Sequence, residues 1–364
     1  MKSTFFQKYL LPGFVFQSVV IAGGYGTGRE IVEYFLMYGP LGGLLGMLLV
    51  STVMWSVTLA LTFEFARFFK AYDYRTFFTR LFGRFWFIFE ILYLYGLLLI
   101  LAVIGSAAGA VLRDNFGIPY MWGVVIMFAA VGFLTFRGSG LIEKFLASWS
   151  IVLYIIYFII LIAALAKFGG KISGTFAGLE KSPGWLKAGF QYALYNFNVI
   201  PATLFCLHHI ETRKEAIGAG LLGGIIGIFP GLLFFISIIS QYPDVLPEEL
   251  PIIYMLDEIG QPVLLIVFQI VLFGTLIETG TGMIHAFNER IQSAFHAAGK
   301  EFPRRLRPVV AVLLLFCGLG IASFGLVALI AQGYGSLSWG VLFVFVIPLF
   351  TLGIYRMVKG SPEN

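Results

Sequence analysis

Charge is what this sequence has least of. Asp, Glu, Lys and Arg make up 12% of its 364 residues, about half the share of a soluble domain, so a water-soluble fold is excluded. Cysteine is scarce too. The two present, Cys206 and Cys317, lie in separate apolar stretches and read as small buried hydrophobes, which excludes a disulfide framework. The four histidines form no metal-ligand spacing; His208 and His209 are adjacent, and neighbours on a helix do not face one site. No nucleophile elbow, phosphate loop or clustered basic patch occurs. Enzyme chemistry, a nucleic-acid partner, a cofactor and an obligate protein partner are therefore not expected.

What is abundant is apolar sequence, 59% of the chain. It falls into ten runs of bilayer-spanning length, at about 9–37, 41–69, 84–112, 118–136, 141–167, 184–209, 213–241, 261–289, 308–331 and 334–357. The spacing predicts an all-α polytopic membrane protein of ten transmembrane helices. The first run is polar in its middle and lacks a small-residue cleavage site, so no removable leader is expected. With the N-terminus inside, eighteen Lys and Arg face the cytoplasm, from Lys2 to Lys359, against five outside: Arg113, Lys167, Lys171, Lys181 and Lys187. That bias places both termini in the cytoplasm and the chain in the cell membrane.

The layout repeats. AGGYGTG (22–28) interrupts the first run and YNFNVIPA (195–202) the sixth. LGGLLGML (41–48) follows the first and LGGIIGIF (222–229) the second. Short amphipathic stretches come next in each half, the basic AYDYRTFFTRLFGR (71–84) and the acidic LPEELPIIYMLDEIG (246–260). Five runs thus recur as 1–167 and 184–357, joined by an outer loop at 168–183, and an odd number of spans inverts the second copy. Paired discontinuous helices at matching positions point to an inverted-repeat transporter.

A break in hydrocarbon leaves backbone groups unpaired unless they face protein or water. A helix beginning near Gly28 would aim its N–H groups and positive dipole end at the gap, a seat for a carboxylate. Glycine at 23, 24, 26 and 28 lets backbone approach a ligand. The carbonyls ahead of the gap suit a small cation.

GYGTG followed by a helix resembles the glycine-rich break of the amino acid–polyamine–organocation superfamily, and ten spans in two inverted fives are similar to its leucine-transporter-like fold. GxGREIVxxF further resembles the YkvI-type membrane proteins, a group classed as amino-acid permeases. The resemblance implies secondary active transport by alternating access, with the site between spans 1, 3, 6 and 8. It implies that Gly26, Thr27 and Gly28, with Gly23, Gly24 and Tyr25 beside them, receive a solute carboxylate. Tyr195, Asn196 and Asn198 would form the opposite wall. A sodium site would take the carbonyls of Ala22 and Tyr25 and the hydroxyls of Thr275 and Thr279, with Thr281 as a register-shifted substitute.

Glu278 departs from that hydroxyl pattern. It shares a helical face with Thr275 and Thr279, and three roles are open to it: sodium ligand, proton carrier or structural hydrogen bond. Arg29 and Glu33, four apart, can neutralise each other, and Glu30 can meet a solute amine, gate against another helix or serve the helix dipole. The leading expectation is cation-coupled symport, by Na+ or H+, of a small amino acid or related solute. A proton-linked amine or amino-acid permease or exchanger and a solute-sensing receptor are the alternatives.

Overall fold

In a bilayer the backbone must satisfy its own hydrogen bonds, and every regular element among the described residues is helical. The computed structural model describes residues 4–360 apart from 22, 138, 179, 298, 300, 302, 304 and 305. The chain opens with α1 (Leu11–Val20), the single turn α2 (Gly23–Thr27) and α3 (Arg29–Tyr34). Then come α4 (Pro40–Phe68), the amphipathic α5 (Tyr74–Phe82), α6 (Phe87–Phe116), α7 (Tyr120–Arg137) and α8 (Ser139–Ala177). The second half runs through α9 (Trp185–Asn196) and a 3-10 helix, Phe197–His209, to α10 (Arg213–Gln241), the short α11 (Pro251–Ile259), α12 (Pro262–Ala297), α13 (Leu306–Ala322) and α14 (Leu326–Lys359).

By length and composition α4, α6, α8, α10, α12 and α14 can cross a membrane; α7 and α13 are apolar and shorter. The remaining two expected runs, 9–37 and 184–209, are interrupted.

The glycines of both sets bring α4 close to its neighbours α9 and α10. A methyl group at Gly220 would fall on the Ala60 backbone and one at Gly224 on Ser56, so α10 and α4 are in backbone contact. Small residues permit that approach in a medium where apolar burial gives helices no reason to associate. The Ser56 hydroxyl donates to Leu221 O at 2.9 Å across the same seam. On the other side, a methyl at Gly189 of α9 would meet the Gly46 backbone. Ser51 Oγ donates to Gly189 O at 2.8 Å and Trp55 Nε1 to Ala193 O at 3.1 Å. α4 is therefore clamped between α9 and α10, and this clamp supports the two interrupted segments beside it.

Candidate functional site

The first segment leaves the helix at Ile21, whose ψ is 81° although its N–H still donates to Gln17 O at 3.1 Å. The sequence predicts an opening across 22–28. In the structure the opening precedes Gly23, Ala22 lies outside the described residues, and Gly23–Thr27 close one helical turn. Thr27 is the reason. Its hydroxyl donates to Gly24 O at 2.8 Å and accepts the Arg29 N–H at 3.2 Å, tying the turn shut and capping α3.

Gly28 then adopts φ +84°, a conformation L side chains rarely enter. The bend it makes lets Glu30, at the start of α3, reach back to the start of α2. The Glu30 carboxylate accepts the Tyr195 hydroxyl and faces the Tyr25 backbone amide. A methyl at Gly24 would collide with that carboxylate, so this glycine is what permits the approach.

The place expected to seat an anion thus already faces a carboxylate of the chain. The chain's own carboxylate serves the helix end at the break. Gly26 faces Leu272 of α12, 2.9 Å from where its methyl would stand, and Gly28 faces Ile252 and Ile238. Thr27 is committed at its hydroxyl, and the Tyr25 carbonyl accepts Gly28 N–H at 3.0 Å.

Four tyrosines enclose Glu30. Tyr195 and Tyr334 stack with ring centres 4.6 Å apart, and Tyr34 and Tyr192 lie 5.5 and 5.6 Å from Tyr195. The Tyr34 hydroxyl donates to Ile330 O at 2.9 Å, fastening α3 to α14. Sequence reading did not single out Tyr34, Tyr192 and Tyr334; Tyr34 and Tyr192 flank the two breaks in the sequence, and nothing in the order of residues points to Tyr334. The cavity at Glu30 is about 20 Å³, lined also by Val20, Ile100, Asn196 and Leu337, room for about one water. Glu30 is 1% exposed. Among the described residues no Lys, Arg or His pairs with it. A carboxylate in such a place is stable only with a proton on it or a cation against it.

Arg29 turns the other way. Its Nη1 donates to Leu246 O at 2.8 Å and Glu248 O at 2.9 Å, and its Nη2 pairs with Glu33 at 2.6 Å. It neutralises Glu33 and straps the loop before α11 over the site.

The second interruption is a change of helix type. α9 ends at Asn196, and the chain tightens into the 3-10 helix that contains Pro201. Asn196 Nδ2 donates to Tyr192 O at 2.9 Å and finishes α9. Asn198 is buried, packs on the bare backbone of Gly96 in α6, and neither its oxygen nor its nitrogen has a hydrogen-bond partner.

In α12, Leu272 touches the break through Gly26, and Thr279, two turns on, shares its face. The Thr275 hydroxyl donates to Val271 O at 2.9 Å. Glu278 lies on the adjoining face, within electrostatic reach of Tyr157 in α8. The contact between α12 and the break is thus made at Leu272, with Thr275 one turn and Thr279 two turns farther along the helix and Glu278 to one side.

No family model matches the chain. The uncharacterized membrane protein YkvI of Bacillus subtilis (strain 168) is 26% identical over 286 residues, 77% of this chain and 80% of that one. Among solved structures, MhsT in complex with L-phenylalanine superposes on 95% of this chain and 96% of its own, with a TM-score of 0.61 at 14% identity. A Na+-coupled sialic acid symporter in a substrate-bound outward-open state gives 0.62 at 14%, covering 95% and 79%. A manganese transporter of Eremococcus coleocola gives 0.60 at 16%, covering 94% and 78%. Similarity at these identities is one of fold: the chain is a membrane protein with the leucine-transporter-like fold that these transporters share.

Proposed function

We propose that the protein is a secondary active transporter which carries a small organic solute bearing a protonated amine, an amino acid or a simple amine, by alternating access in a cation-coupled cycle. The reading takes the chain as ten spans in two inverted fives, with both termini in the cytoplasm. The observation that carries it is Glu30: a buried carboxylate without a counter-ion among the described residues, held at a helix interruption by Tyr195. An amine supplies the missing charge, and Tyr34, Tyr192, Tyr195 and Tyr334 offer the faces that favour a cation. Gly23, Gly24, Tyr25, Gly26, Thr27, Gly28, Asn196 and Asn198 form the surrounding frame. We assign the coupling ion to the Tyr25 carbonyl and the side chains of Thr275, Glu278 and Thr279, oxygen groups that suit a hard cation; Ala22, whose carbonyl the sequence also offers, lies outside the described residues.

The test is uptake into proteoliposomes. Amines and amino acids that raise the melting temperature of the purified protein are offered under an imposed Na+ or H+ gradient. Accumulation should follow one gradient, which names the ion. If that ion is Na+, Thr279→Ala should raise its half-saturation several-fold. Binding without flux under either gradient would replace the transport reading with a sensing one.

A further inference from the structure

A cleft of about 520 Å³ opens between α5, α6, the 3-10 helix and α12, with Trp86, Glu90, Pro201 and Arg290 in its wall. There the Arg290 guanidinium lies 3.7 Å from the centre of the Tyr74 ring and 4.3 Å from that of Tyr93, and pairs with the Glu90 carboxylate. Two aromatic faces and a carboxylate are the parts of an organic-cation site. The protein itself provides the cation that fills it. The fit is incomplete, because Arg290 Nη1 is buried without a hydrogen-bond partner.

A separate observation links this cleft to the break. Asn198 and Pro201 are three residues apart in the 3-10 helix, where residues so spaced lie above one another, and Tyr195 precedes them in the last turn of α9. Tyr195 holds Glu30, Pro201 lines the cleft, and Asn198 stands between them with its whole amide unpaired. A buried amide left in that condition costs free energy and offers both a donor and an acceptor to a polar group passing along the row.

We infer that Glu90, Tyr74 and Tyr93 form a second site for the solute's protonated amine, and that Arg290 is a built-in competitor which fills it when the solute is elsewhere. The class of solute rests on the transport reading above; the second site itself stands apart from Glu30. The remaining charged groups in the wall are Asp73 and Arg75. Asp73 caps α5 by accepting the Thr76 N–H at 2.9 Å, and Arg75 lies over the Trp86 ring at 5.7 Å. An anion on the free Nη1 is disfavoured, since it would sit beside Glu90.

The test uses the full-length protein in detergent, with ethylguanidinium chloride as the probe and NaCl at equal ionic strength as the control. In Arg290→Ala the cage is freed, and the probe should raise the melting temperature saturably by about 2–5 °C. Wild type and Arg290→Lys, whose cages are filled, should not respond. The rise should vanish when Glu90→Gln is added and persist when Glu30→Gln is added. No rise in Arg290→Ala, an equal rise in wild type, or a rise that survives Glu90→Gln would overturn the second site. Arg290→Gln, which keeps a long polar side chain, carries the same comparison should the alanine variant fail to fold. Asn198→Leu should cut uptake at least tenfold and leave the probe response of Arg290→Ala unchanged; undiminished uptake would overturn the connecting row. If Glu30→Gln abolishes uptake while Arg290→Ala ignores the probe, the second site fails alone; the opposite pattern removes the Glu30 reading alone.

Discussion

Glu30→Gln should separate stability from binding. The amide keeps a carbonyl oxygen for the Tyr195 hydroxyl, whereas its NH2 group, turned to the Tyr25 backbone amide, opposes a donor with a donor. One interaction is lost, worth about 1 kcal/mol net. Against it stands the relief of no longer holding an ionisable group in a dry site without a counter-ion. The two terms nearly offset, so the melting temperature should move by less than about 3 °C. Binding has no such offset. Truncating one partner of a buried charge pair costs about 2–5 kcal/mol, and about 3 kcal/mol raises the half-saturation for an amine roughly 150-fold. The assay is concentration-dependent uptake in proteoliposomes, with thermal unfolding on the same preparation. A variant that transports amines with unchanged half-saturation refutes the pairing of Glu30 with the solute. One that loses uptake only because it unfolds several degrees lower makes Glu30 a structural group.

Arg29→Ala should release the carbonyls of Leu246 and Glu248 and leave Glu33 without its pair. Two hydrogen bonds from a charged donor, at about 1.5–3 kcal/mol net each, should convert into faster amide exchange across 242–250 with little change elsewhere; unchanged exchange there would show that the strap bears no load. Gly224→Val should drive a side chain into the Ser56 backbone and destabilise the α4–α10 seam by about 1–3 kcal/mol. A lower melting temperature in detergent checks this, and an unaltered one would mean that the helices can part at no cost.

The helical, membrane-embedded character of the chain was legible because hydropathy and backbone satisfaction leave few alternatives in lipid. The glycine sets were legible as well, since LGGLLGML and LGGIIGIF carry small residues at helical spacing, and both sets turned out to lie against backbone. Pairings that join distant parts of the chain were not. Nothing in the order of residues links Glu90 with Arg290, two hundred positions on, or Arg29 with the carbonyls at 246 and 248, whereas Arg29 with Glu33 and Glu64 with Arg67 could be read off as neighbours on one helix.

The break itself divides along the same line. That 22–28 would interrupt a helix follows from its glycines, but glycine alone does not say which of the four will leave the right-handed region. Gly28 does so, and Gly23–Thr27 are drawn into a turn because Thr27 can bond to Gly24 behind it and Arg29 ahead of it. That choice decides the chemistry of the site. Had the chain opened at Gly26, α3 would point its N–H groups at the gap and suit a solute carboxylate. With the bend at Gly28, Glu30 comes round to the helix end in place of that carboxylate, and the complementary charge left for a solute to bring is positive. The proposed function rests on that substitution: an acidic residue two positions beyond a left-handed glycine would reverse the sign of the ligand that the same glycine-rich motif would otherwise receive.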